Sequence, residues 1–314
     1  MIHNTQELKQ FISVSRNFDF SEFEPYLKRA NREFLNKYVG NLYTEIEDLE
    51  IENEELYDEV KDLVHTAIAN FAYYLSTPFN SIQMDDSGMA NIVNQNRSNL
   101  SMGQLNDIRR ELLRCAHSAM DSLLEKLEEN ADHFPNWKTK YSTIYNQYIV
   151  NSTNAFQLGY NIHNSRQTYL ALQPSIAFVE DRLLNTTFCS ELIARLKQSD
   201  LNDQEKHLKS LLSKSIIMAT VSKVFNEGIF EITSSGIKIK FDALPFEQNI
   251  APAFNEQIKN KVDTFNSNAE NYILLAIDYI NENLSNFNQC EGSPIKKSNG
   301  GTYETIVTKS IIGL

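Results

Sequence analysis

Any chemistry in this chain has to be built from its histidines, cysteines and clustered charges, so their spacing is the first thing to read. His3, His65, His117, His133, His163 and His207 fall into neither an HxxxH nor an HExxH pattern. No helical turn therefore sets two imidazoles on one face, as a zinc site needs. Cys115, Cys189 and Cys290 are odd in number, far apart and without a CxxC pair. That pattern reads as reduced thiols of a cytosolic protein rather than a disulfide framework. No Ser or Cys sits in a nucleophile elbow, and Asn299-Gly300-Gly301 lacks the spacing of a phosphate-binding loop. The acidic run TEIEDLEIENEELYDE has neither the Asp/Asn alternation nor the glycine of a calcium loop, so its carboxylates read as a solvated helix face and loop. Arg109, Arg110 and Arg114 make a small basic spot on one helix, read as partners for nearby acids. The expectation is a chain with no catalytic residues, no cofactor and no metal: not an enzyme.

Charge narrows the partners. The net charge is −12, and it is uneven: residues 1–150 carry 14 Lys/Arg against 24 Asp/Glu, the remainder 15 against 17. A general phosphate-binding surface needs clustered cations to displace counterions, so DNA is expected only as non-specific cargo passing an acidic channel. The opening MIHNTQELKQ has no apolar core of a signal peptide. No run approaches the roughly 18 apolar residues of a membrane span. A soluble protein made in a cytoplasm, with no membrane partner, is expected.

The elements that would position any site repeat themselves. LVHTAIANFAYYLSTPFNSIQMDDSGM, from Leu63 to Met89, is an apolar helix running through Thr77-Pro78 into a strand and turn; LLSKSIIMATVSKVFNEGIFEITSSGI, from Leu211 to Ile237, has the same order. Ala69, Phe71, Tyr74 and Leu75 match Ala219, Val221, Val224 and Phe225 at a spacing of 150, and Ser87-Gly88 match Ser235-Gly236 at 148. Pro25 pairs with Pro174, and Phe20 with Tyr169. Leu105, Leu112, Ala116, Met120, Leu124, Leu127 and Asn130 match Ile258, Phe265, Ala269, Ile273, Ile277, Ile280 and Asn283 at 153. Such self-similarity reads as a tandem duplication.

The fold class that follows is mainly α: two tandem related helical bundles, each with a small β-hairpin, plus a C-terminal strand-like arm. The first helical repeat spans 1–150 with a hairpin near 82–93, the second 151–290 with a hairpin near 229–241, and the linker and arm occupy 291–314. In the first repeat Ser21 reads as an N-cap with Pro25 in the first turn, and central and long helices run over about Val60–Leu75 and Gly103–Ala131. In the second, residues 141–173 read as one or two helices ending at Pro174. Further helices are expected over about Ser175–Lys197, Glu205–Phe225 and Pro252–Phe287. Turn residues Asp85, Asp86, Gly88, Ser234, Ser235 and Gly236 are the candidate subunit contacts, with positive φ expected at Gly236. So are Tyr303, Ile306, Val307, Ile311, Ile312 and Leu314 of the arm, whose apolar β-branched character suits strand addition to a neighbour.

The segments PYLKRANREFLNKYVGNLY, ANFAYYL, IQMDDSGM, QLNDIRRELLRCAHSAMDSLLEKLEEN and SRQTYLALQPSIAFVED, with the apolar Ile311-Ile312-Gly313-Leu314 end, carry a resemblance. Over nearly the whole chain they resemble an uncharacterised family common in phages and prophages of Bacteroidetes, often encoded among head and tail morphogenesis genes. The resemblance implies a structural virion protein: a head–tail connector, adaptor or collar ring subunit. Its partners would be copies of itself in a cyclic homo-oligomer, the portal, and tail or neighbouring ring proteins, with assembly from subunits made in the host bacterial cytoplasm. No family active site exists to carry over. The alternative is a non-virion scaffold or chaperone-like module in which the two halves clamp one partner.

Overall fold

Many helix starts in this protein are set by side chains that satisfy the first free N–H groups. Asn4 opens α1 (Thr5–Phe11), accepting from the Glu7 N–H at 2.9 Å. Asp19, not Ser21, opens α2 (Phe20–Ala30), accepting from the Ser21 N–H at 2.9 Å, and Pro25 therefore lies inside the helix rather than in its first turn. A carboxylate is the better acceptor at the positive end of a helix dipole, which is why it displaces the serine. The computed structural model describes residues 2–15, 18–40, 42, 46, 53–79, 82–85, 88–91, 101–139, 147–227, 230–233, 236–239 and 254–287. It is mainly helical and divides into two compact units, Met1–Lys140 and Tyr141–Leu314. The division falls ahead of residue 150 because Ile149 and Val150 are buried in the second core.

In the first unit α2 continues through a π-helical turn, Asn31–Leu35, into α3 (Asn36–Val39), which Gly40 ends at φ 62°. Only glycine takes that conformation without steric penalty. The centre is α4 (Glu54–Ser76), longer than the apolar stretch alone suggests because Asn53 caps it and Glu54 and Glu55 complement its N-terminal dipole. Val60, Val64, Ala67, Ile68, Phe71 and Ala72 are fully buried along it. β1 (Ile82–Asp85) pairs antiparallel with β2 (Gly88–Asn91). A capping box between Ser101 and Gln104 then starts α5 (Met102–Glu129). α1, α2 and α5 all pack on α4.

The second unit follows the same order. Residues 141–173, read from the sequence as helical, instead give α6 (Thr153–Gln157) and then a loop ahead of α7, with 141–146 outside the described residues. α7 (Arg166–Leu183) runs unbroken through Pro174, where the sequence suggested an end. Proline forfeits one backbone hydrogen bond there, but Tyr169, Leu172, Ile176, Val179 and Leu183 are buried on one face and hold the helix across it. Pro174 itself is exposed. The expected single helix over Ser175–Lys197 is thus the end of α7 and a separate α8 (Ser190–Leu196).

α9 (Asp203–Glu227) is the counterpart of α4, and β3 (Phe230–Thr233) pairs antiparallel with β4 (Gly236–Ile239). α10 (Phe254–Glu282) lies antiparallel along α9. Their register is fixed by two serines of α9: Ser215 Oγ donates to Ala269 O at 2.8 Å and Ser222 Oγ to Val262 O at 3.4 Å. With Ala219 buried between them, three small residues let the helices approach closely.

Candidate functional site

The turn residues chosen from the sequence are only partly within view. Asp85 stands opposite Gly88 at the end of the first strand pair, and Gly236 opposite Thr233 at the end of the second. Asp86, Ser234 and Ser235 lie outside the described residues, as does the whole arm with Tyr303, Ile306, Val307, Ile311, Ile312 and Leu314. The expected positive φ at Gly236 depends on residue 235 and falls with them. Nothing described brings the strand ends and the arm together.

Several of the described titratable side chains pack or pair within the fold. Among the described residues no group of His, Cys, Asp and Glu has the geometry of a metal site, and no helix is long and apolar enough to cross a membrane. His65 is buried with its ring edge-on to Phe11 of α1 at 5.4 Å. Burial pushes its pKa down to about 4, with the nearby N-terminus, Lys61 and His3 adding to the shift and Glu7 opposing it. His117 meets Phe71 edge-on at 4.9 Å, and His207 packs on Tyr279. The basic spot splits: Arg110 pairs with Asp107 and Arg114 with Glu111, while Arg109 lies over the Tyr74 ring and donates to its hydroxyl at 3.3 Å. Hydrogen bonds from Arg114 and then Cys115 hold the Glu111 carboxyl at about 2, although it is exposed. Cys115 is a free thiol whose pKa is pushed up by burial and by Glu111. Cys189 is disulfide-bonded, against the reading of three reduced thiols; its partner lies outside the described residues.

Two buried carboxylates tie the second unit together. Glu180 is 4% exposed; its Oε2 accepts from Ile149 N at 2.8 Å and its Oε1 faces Lys197 Nζ. Glu205 is 2% exposed and takes a two-pronged contact from Arg195, at 2.7 and 2.9 Å. It also receives the Asn202 N–H at 2.9 Å while Asn202 Oδ1 receives its own, closing a cap on α9. Arg195 first, and then Asn202, hold the Glu205 carboxyl below its ordinary range.

The most unusual local geometry is one the sequence reading passed over, the loop from Gln157 to Ser165. The Gln157 amide organises it: Nε2 donates to Asn161 Oδ1 at 2.7 Å, and Oε1 accepts from Ile162 N at 2.9 Å and Asn164 N at 3.0 Å. His163 and Asn164 follow one another at φ 56° and 53°. Left-handed backbone at a non-glycine residue costs roughly 1–3 kcal/mol and persists only where the surroundings enforce it. Gly159 is pressed against the core, since a Cβ there would come within 2.6 Å of Ile217 Cδ1. Beside it Leu158 stands 88% exposed. One signal for this loop was present in the sequence: from Tyr141 to Ser165 there is no Asp, Glu, Lys or Arg.

The comparisons with known proteins agree with the repeated architecture. The sequence profile described as "Family of unknown function (DUF6712)" matches residues 18–147 and again residues 181–300. The two matches cover most of the chain, which belongs to this family. No curated protein and no solved structure matches it.

Proposed function

We propose that this DUF6712 family member is a structural subunit of a tailed-phage particle, a connector, adaptor or collar component between head and tail. The observation that carries the reading is the same family domain occurring twice in one chain, each time as a helical bundle around one long antiparallel helix pair. A chain that builds one bundle twice presents two related but unequal surfaces. Unequal surfaces are what head-to-tail contacts need if they are to close into a ring. Each unit adds a short strand pair and the chain ends in the apolar segment 303–314, both suited to strand addition on a neighbour. The acidic first repeat suits passage of DNA without sticking. The resemblance of the PYLKRANREFLNKYVGNLY and QLNDIRRELLRCAHSAMDSLLEKLEEN segments to a phage family supports the same placement.

In this reading the protein is a cyclic homo-oligomer whose partners are portal, tail or neighbouring ring proteins. Peptide mass spectrometry of gradient-purified particles tests it. The protein should be present at a fixed ratio to the portal, and its absence from intact, infectious particles would overturn the reading.

A further inference from the structure

We infer that the second unit is stapled by a reversible disulfide between Cys189 and Cys290, which anchors the chain after α10 as a buried tryptophan anchors it after α5. The inference is independent of the ring reading. The chain has three cysteines, Cys115, Cys189 and Cys290. Cys115 is a free thiol and Cys189 is disulfide-bonded, so elimination leaves Cys290 as the partner. Cys290 itself lies outside the described residues.

The repeat register shows what this bond replaces. Asn130 pairs with Asn283 and Phe134 with Phe287, each at a spacing of 153, where α5 and α10 end. Both phenylalanines are buried. Three residues beyond Phe134 the first unit buries Trp137, which is 4% exposed. Three residues beyond Phe287, again at a spacing of 153, the second unit has Cys290. A large indole held by apolar burial thus has a small thiol as its counterpart. On its own a thiol contributes much less buried apolar area than an indole. A covalent bond restores the anchor.

Cys189 is well placed to carry the other end. It stands at the N-cap of α8 and makes no capping hydrogen bond, unlike Asn53 of α4 and Ser165 of α7. It packs half-buried against the second core beside Phe188, and Phe287 belongs to the same core. Each cysteine therefore follows a phenylalanine of one core, Cys189 directly and Cys290 three residues on. Those phenylalanines hold the fold when the bond is open, and half-burial leaves Cys189 within reach of small thiols and disulfides. Closing proceeds by exchange with a low-molecular-weight disulfide. One protein thiolate attacks it and expels a small thiolate, and the second protein thiolate displaces the other. Two protons and two electrons leave the protein and end on two small thiols; excess thiol reverses the exchange. Cys189 and Cys290 stand 101 residues apart, so closure removes much of the freedom of the unfolded chain. Reducing surroundings keep the staple open and oxidising ones close it. The stability of the second unit then follows the thiol–disulfide balance around it.

Full-length protein equilibrated with oxidised glutathione, alkylated and then digested with trypsin without reduction tests the pairing. It should yield residues 183–195 linked to residues 262–296, with Cys115 alkylated. After equilibration with roughly a hundredfold excess of reduced glutathione, the two peptides should appear separately, both alkylated. The closed form should melt about 5–10 °C above the open one. Cys290→Ser should melt at the open value under both conditions, while Cys115→Ser should follow the wild type. Amide exchange at Phe287 should quicken when the bond opens. A link from Cys189 to Cys115, no link after oxidation, or equal melting of the two forms would overturn the staple. A bond that survives the reducing mixture would overturn its reversibility. The peptide map reads the wild-type chain, so it decides the matter even if a serine variant fails to fold.

Discussion

Asn130 and Asn283 stand 153 residues apart and close the two longest helices in the same way. Both have φ near −120° and ψ near 34° (−119° and 33°, −125° and 35°), and the Nδ2 of each donates back four residues, to Lys126 O at 3.0 Å and Tyr279 O at 2.8 Å. Each is followed by one 3-10 turn, Ala131–His133 and Leu284–Asn286, and then by a buried phenylalanine, Phe134 and Phe287. The order cap, turn, anchor is thus kept even though few of the residues along α5 and α10 are identical.

Because the anchors are equivalent, removing either should have a similar effect. Phe134→Ala and Phe287→Ala should each destabilise the protein by about 3 kcal/mol, the range for emptying a buried aromatic site. Asn130→Ala and Asn283→Ala should each cost about 1 kcal/mol, one net hydrogen bond. Chemical denaturation of the four variants checks this, and a large effect in one repeat with none in the other would contradict the equivalence.

Acid should weaken the seam between α1 and α4 through His65. Its folded pKa, lowered to about 4 chiefly by burial, lies below the ordinary value near 6.5, so the fold favours the neutral ring. The stabilisation is complete above the unfolded value and is lost as pH falls through that window, because only the unfolded chain takes up the proton there. The total is about 3 kcal/mol. His65→Phe keeps an aromatic edge beside Phe11 and cannot titrate. Its unfolding free energy should therefore depend less on pH between 6.5 and 4, and an unchanged slope would remove His65 from the account.

Glu180→Ala should loosen the start of the second unit. It leaves the Ile149 N–H and the Lys197 ammonium without their acceptor, a loss of about 2–3 kcal/mol for a buried, charge-assisted pair. Amide exchange at Ile149 and Val150 should accelerate ahead of the rest of the core. Uniform protection would show that the segment is held by its apolar side chains alone.

Arg195→Ala strands a buried carboxylate. Glu205 is held below its ordinary pKa mainly by Arg195, so its contribution is present above the usual carboxylate range and is lost as pH falls through the lowered value. The variant should be destabilised at neutral pH, because the carboxylate of Glu205 is left without its cation. It should lose less near pH 3, where the stranded acid is neutral. A loss that does not shrink on acidification would point to packing rather than charge.

What the sequence made legible was periodic. The apolar stripes along α4, α5, α9 and α10 and their offsets of 150 and 153 residues come from burial on one helix face, and burial is written in residue type. What it hid was competition. Asp19 outcompetes Ser21 as a cap, a buried face carries α7 across Pro174, and Ile149 and Val150 join the second core before the repeat register says they should. The Gln157–Ser165 loop was hidden for a different reason. Its shape depends on side-chain amides bonding to a backbone several residues on, and on left-handed His and Asn, neither of which has a periodic signature. The paired state of Cys189 was equally illegible, since spacing alone does not say which distant thiols meet.

The central claim is that this chain assembles into a closed ring, and class averages of the purified full-length protein by electron microscopy test it most directly. Particles with one rotational symmetry and a central opening, dissociating on dilution, are the predicted result. A population that stays monomeric at every concentration and in the presence of the portal would contradict it.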